Sequence, residues 1–164
     1  MRKILASAVT AAAAAAVLGG AGLAAASTHA GVSGTEHFQL MSTSATSNAS
    51  SVIASGVFTA PATDREGPNN IGTFTFSNGT IVVKHSNGTG TQHFDPKTCL
   101  LTVNQHGTYT LLRGTGKYAG ISGSGKYQLS ILGIGARSGG KCVQNKPPVA
   151  FHQVINASGP VSLP

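Results

Sequence analysis

Beyond residue 30, no window of the chain carries apolar side chains at a sustained 3.6-residue spacing. Apolar and polar positions alternate instead, and β-branched residues and Gly/Asn punctuation recur to the end, the pattern of many short antiparallel strands. Strands are predicted over 35–42, 51–60, 100–105, 108–113, 123–132 and 149–158, with three more in the stretch 71–94. That stretch holds Asn78-Gly79 and Asn87-Gly88, each a two-residue hairpin signal because a type I′ turn needs positive φ at two successive positions. Taken as turns, they set Phe76 opposite Ile81 and Phe74 opposite Val83, and bring Phe94 alongside from a third strand. One face of this meander then carries Gly72, Phe74, Phe76, Ile81, Val83 and Phe94, and the other carries Thr73, Thr75, Ser77, Thr80, Val82, Lys84, Thr91 and His93. Loops are expected at 62–69 and at the basic stretch 137–148, where Pro147-Pro148 precedes the last strand. Eight or nine short strands without a helix must close into a barrel or pack as a sandwich. An antiparallel, all-β barrel of eight to nine strands is the expected fold, with Phe74, Phe76, Ile81, Val83 and Phe94 lining a ligand cavity.

The N-terminal segment changes the compartment. Arg2 and Lys3 precede an uncharged, alanine-dominated run from Ile4 to Leu23, and Ala24-Ala25-Ala26 then offers small residues of the kind a signal peptidase reads. Thr28-His29-Ala30 is a second option. A signal peptide over 1–26, with cleavage as late as residue 30, would leave one domain over 27–164 and a secreted, extracellular protein. The run is a weak membrane span, and no later segment is long and apolar enough to be one. Charged residues are only 9% of the chain, against roughly 25% in an average domain, so the surface must be built from Ser, Thr, Asn, Gln and Gly. Eleven Lys and Arg against four Asp and Glu give a formal charge of +7, and Arg2 and Lys3 belong to the signal, leaving about +5. Cys99 and Cys142 are the two cysteines, and in an oxidising compartment an even pair most simply forms one disulfide.

Gly114-Thr-Gly116-Lys-Tyr118-Ala-Gly120 is echoed by Gly123-Ser-Gly125-Lys-Tyr127. A dinucleotide fingerprint would need a following helix and an acidic residue about twenty positions on, but no Asp or Glu follows Asp95. Gly114, Gly116, Gly120, Gly123 and Gly125 read instead as structural glycines that let strands approach and bend, with Tyr118 and Tyr127 covering the gaps. Together with Phe94-Asp-Pro-Lys-Thr-Cys99 and Gly107-Thr-Tyr109-Thr, the repeat resembles secreted actinobacterial proteins grouped with the allene oxide cyclase barrel-like and dirigent-like proteins. The resemblance is densest over 94–127. It implies an eight-stranded antiparallel barrel of the calycin kind with a central cavity, and by analogy with plant members a homotrimer. It carries over architecture and no catalytic residue.

Candidate chemistry is sparse. The four carboxylates are Glu36, Asp64, Glu66 and Asp95. Asp64 and Glu66 are expected in a loop and Asp95 in a turn, so only Glu36 is placed to point into the barrel. No Gly-x-Ser-x-Gly occurs, and the histidines have no metal-ligand spacing, so neither a metal nor a cofactor is expected. His85 continues the apolar face past Val83 toward a barrel end, where a ligand mouth would lie. Glu36 and His85 are therefore the only candidate catalytic residues. Scattered basic residues without an aromatic platform argue against nucleic acid as a partner. Three readings stay open: a secreted barrel that binds a small apolar molecule, a cyclase or isomerase-type enzyme using the same cavity, and a structural or cell-surface protein without a ligand.

Overall fold

The computed structural model describes residues 31–164, so the segment expected to be a signal peptide lies outside the described residues. The strands are β1 (Val32–Ser42), β2 (Ala49–Ser55), β3 (Ala60–Glu66), β4 (Ile71–Phe76), β5 (Gly79–His85), β6 (Thr89–Asp95), β7 (Leu100–Gly114), β8 (Ser122–Ile134), β9 (Ala136–Ser138), β10 (Lys141–Val143) and β11 (Ala150–Leu163). Strands β5-β4-β3-β2-β1-β11-β8-β7 form a continuous sheet, and pairing of β5 with β7 closes it into an eight-stranded antiparallel barrel. Strand β6 is an extra strand on β7, and β9 and β10 form a separate small hairpin. No helix among the described residues is long and apolar enough to cross a membrane.

Inward and outward positions alternate along most of the barrel strands, while β5 buries Ile81, Val82 and Val83 in succession beside a bulge in its pairing with β7. Glu36, Phe38 and Leu40 point in from β1, Val52 and Ala54 from β2, Phe74 and Phe76 from β4, and Tyr109 and Leu111 from β7. Burying each of the larger side chains contributes about 1.5–3 kcal/mol, and this interior layer drives closure.

Both hairpin expectations need correction. The Asn78-Gly79 hairpin forms, but its ladder pairs Phe76 with Gly79, Phe74 with Ile81 and Gly72 with Val83. The turn residues are Ser77 and Asn78, and the register is displaced by two positions. Gly79 sits at φ 150°, where a Cβ would come within 2.1 Å of the Thr115 carbonyl oxygen. A slip of two keeps every side chain on its face, so the apolar side of the hairpin is unchanged.

Asn87-Gly88 is not a hairpin turn. Strands β5 and β6 run in the same direction along β7, with His85 opposite Tyr109 and Thr89 opposite His106, and Ser86-Asn87-Gly88 is only a break between them. The real reversal is at 96–99, so 100–114 is one strand rather than two. Phe94 consequently leaves the predicted face. It pairs with Leu101 on β7 and lines a separate groove with Cys99 and Phe151.

That rim extension is stapled as the cysteine pair predicts: Cys99 and Cys142 are bonded across 43 positions of sequence. The residues 137–148 read as a loop contain the β9–β10 hairpin that carries Cys142. The region 62–69 read as a loop is mostly strand. Pro61 lies where β3 pairs with β2 alone, before the β4 ladder begins at Ala62, so its missing N–H interrupts no bond to β4.

Candidate functional site

The barrel interior is filled at one end and open at the other. At the filled end the short turn Gly116–Tyr118 folds under the barrel, with Gly116 at φ 59° and Lys117 N–H donating to the Asn78 carbonyl at 2.9 Å. Tyr118 packs there against Phe76 and Phe58, with ring centroids 4.5 and 5.0 Å away. Phe76 and Ile81, two of the five predicted cavity residues, belong to this plug and are 5% and 0% exposed.

Glu36 is also in the filled half. It is wholly buried, and Oε2 accepts the Phe58 N–H at 3.0 Å, tying β1 to the β2–β3 turn. Its other oxygen, Oε1, has no hydrogen-bond partner. Burial raises its carboxyl pKa, opposed by the backbone donors of Phe58, Val57 and His37. The Tyr109 hydroxyl is likewise buried without a partner, and burial together with the charge of Glu36 pushes its pKa up to about 12.

Above the plug lies a cavity of about 310 Å³. Its walls are Phe38, Leu40, Phe74, Val83, Leu129 and Ile155, with Tyr109 at the floor side and polar groups gathered toward the mouth. Phe74 and Val83 are thus where the predicted cavity face placed them, while Phe38, Leu40, Leu129 and Ile155 come from strands whose facing the sequence alone did not assign.

At the mouth, β3 and β5 bring together a cluster that sequence reasoning divided between a loop and a rim. Asp64 is 6% exposed and lines the cavity, and its Oδ1 has no partner. Burial and the neighbouring Glu66 charge raise its pKa to about 7, partly offset by His85. Glu66 Oε1 lies 3.1 Å from His85 Nε2, and His85 Nδ1 lies 3.1 Å from the Ser86 carbonyl oxygen. Both ring nitrogens therefore face acceptors, an arrangement in which only the imidazolium donates twice.

The Tyr127 hydroxyl donates to the same Ser86 carbonyl at 3.0 Å, and its ring stands edge-on to His85 at 6.1 Å. The break between β5 and β6 is thereby held over the opening. Searches against protein-family models, curated proteins and solved structures find no match to this chain. Function rests on this geometry.

The structure does not bring Glu36 and His85 together: one is in the plug and the other at the mouth. His85 meets Asp64 and Glu66 instead. The signal for those two was present as the one-sided alternation Ala60, Ala62, Asp64, Glu66, obscured by Pro61 and by the density of polar residues after it. Among the described residues, no group of three His, Cys, Asp or Glu side chains is arranged to hold a metal ion.

Of the repeat glycines, Gly123 and Gly125 lie along the contact of β8 with β11, while Gly116 packs on Asn78 and Gly79 in the plug. At Gly125 a Cβ would stand 2.1 Å from the Ser158 carbonyl and 2.7 Å from the Tyr109 ring, so Tyr109 covers the space this glycine leaves. Tyr127 stands over Gly107 in the same manner.

Proposed function

We propose that this chain is a secreted barrel protein that holds a small, largely apolar molecule in the half-open cavity. The observation that carries the reading is a void of about 310 Å³ walled by Phe38, Leu40, Phe74, Val83, Leu129 and Ile155, with only a few polar groups in its lining, Asp64, Glu66 and His85 among them. That combination of apolar wall and few convergent polar groups is how small-molecule sites are built, and the volume is at the small end of their range of roughly 300–1,000 Å³. Export is supported by the charged start and alanine run of residues 1–26 and by the disulfide. The resemblance of 94–127 to allene oxide cyclase barrel-like and dirigent-like proteins accords with the same architecture.

Thermal shift against neutral lipophiles, 1-octanol and naphthalene among them, tests the reading. Binding to the native state alone raises Tm with ligand concentration. The V83W variant, which puts an indole into the void, is expected to fold and to lose that rise. No shift with any compound, or an unchanged shift in V83W, returns the protein to the ligand-free structural reading.

One observation favours a second reading, an enzyme of the cyclase or isomerase type. Asp64, with a pKa of about 7 in a cavity that partly excludes water, is poised to give and take a proton near neutral pH. Turnover of a reactive lipophile by the wild type but not by Asp64→Asn would support it. Equal rates with and without protein would dismiss it.

A further inference from the structure

The mouth of the cavity has a shape that bears on what its occupant carries. Gly72 on β4 lies beside β3, opposite Glu66 in the ladder, and its lack of a side chain lets the β3 carboxylates close over it. The point where a Cβ at Gly72 would stand is 2.9 Å from Oδ1 of Asp64 and 3.4 Å from Oε2 of Glu66. These are the two oxygens left available: Asp64 Oδ1 has no partner, and Glu66 uses Oε1, not Oε2, for His85. Two free carboxylate oxygens from one strand thus converge over a glycine, at the edge of an apolar void.

We propose that the occupant of the cavity is an apolar molecule bearing a protonated amine, its ammonium seated between Asp64 and Glu66 above Gly72 and its hydrocarbon part against Phe38, Leu40, Phe74 and Val83. This inference rests on the reading of the cavity as a ligand site and adds the head group.

Charge and donor counting select the amine. An ammonium has three donors and no acceptor, which suits two acceptor oxygens. Glu66 already shares its Oε1 with His85, so an ammonium beside Asp64 pairs with the carboxylate oxygens that have no donor. A carboxylate head would add a third anion to the cluster. An alcohol would leave an ionised Asp64 without a countercharge in a site where unpaired charge is costly. A metal ion in place of the amine would need a third ligand, and the cluster is not arranged to supply one.

The groups facing Asp64 are Glu66 on its own strand, His85 on β5, and Tyr109 and Tyr127 at the cavity wall on β7 and β8. Binding of a cation favours ionised Asp64, which titrates at about 7 in the free protein. Below that pH a proton must leave as the amine enters, so amine affinity rises with pH up to about 8, while an alkylamine stays protonated like a lysine, near 10.4.

Isothermal titration calorimetry with n-octylamine, 1-octanol and octanoate, on the full mature protein at pH 5 and pH 8, tests the proposal. The expected result is octylamine binding at least tenfold more tightly than octanol at pH 8, octanoate binding weakest, and the amine's affinity falling on the order of tenfold to a hundredfold at pH 5. Asp64→Asn is expected to narrow the gap between amine and alcohol to less than threefold. Gly72→Ala, allowed by the extended backbone there, is expected to weaken the amine because its Cβ would stand 2.9 Å from Asp64 Oδ1 and push that oxygen out of place. Octanol or octanoate binding as tightly as the amine, or an amine preference that survives in both variants, overturns the proposal while leaving the cavity intact. Failure of all three probes overturns the ligand-site reading itself.

Discussion

Asp64 sits 6% exposed with one carboxyl oxygen unpartnered, and this makes folding stability depend on pH. Its pKa is 3.8 in the unfolded chain and about 7 in the fold, so between those values the native state holds more protons than the unfolded chain. Its contribution is therefore full below about pH 4 and is lost as the pH climbs through 7, a decline of about 4 kcal/mol by linkage. Asp64→Asn removes the titrating group, and urea unfolding at pH 8 is expected to show the variant more stable than wild type by up to that amount, with a flatter profile between pH 4 and 7. A variant less stable than wild type at pH 8 would show that the carboxylate is better satisfied than this geometry allows. The inward position of Glu36 was legible because the alternation Glu36, Phe38, Leu40 is unbroken. Asp64 was not, because a carboxylate among Pro61, Thr63 and Arg65 reads as loop until a neighbouring strand covers it. Polarity marks exposure only on average, and functional clusters are where that average fails.

At the scale of elements, the same Asn-Gly dipeptide has two outcomes. Asn78-Gly79 lies at a reversal, because β5 must return along β4 and the Gly116–Tyr118 turn packs its backbone against Asn78 and Gly79. Asn87-Gly88 lies within a long run along β7, where Ser86 N–H donates to the Thr108 carbonyl at 2.8 Å and the Ser86 hydroxyl accepts the Thr108 N–H at 2.9 Å. Local turn chemistry is common to both; the length of β7, which only the folded partner strand reveals, separates them. The reversal that does form uses Asp95, whose carboxylate accepts the Lys97 N–H at 2.8 Å and the Thr98 hydroxyl at 2.6 Å.

Beyond it, Cys99 anchors the β9–β10 hairpin, with the Arg137 guanidinium donating to the Lys97 carbonyl. Closing 43 positions of chain stabilises by about 4 kcal/mol on chain-entropy reasoning. The paired substitution C99S/C142S is expected to lower unfolding stability by about that amount and to leave octanol binding unchanged, since neither cysteine lines the cavity. Loss of binding in a folded double variant would show that the rim extension shapes the mouth.

On the scale of the whole molecule, the barrel divides its interior between a solid aromatic end and an open one. The division follows from where the large rings fall: Phe58, Phe76 and Tyr118 meet at one end with centroids 4.5–5.8 Å apart, while the residues facing one another at the other end include Gly72, Ala157 and Val83. The barrel class, the disulfide and one apolar hairpin face could be read from alternation and composition. The closure of β5 on β7 and the placement of the void could not, because both depend on strand lengths and on pairings distant in sequence.

The whole account turns on that void being real and apolar, and a crystal of residues 31–164 pressurised with xenon measures this directly. Dry apolar cavities take up xenon. A xenon site enclosed by Leu40, Phe74, Val83 and Ile155 is the predicted result. Side chains closing the space, or xenon found only in surface grooves, would contradict it.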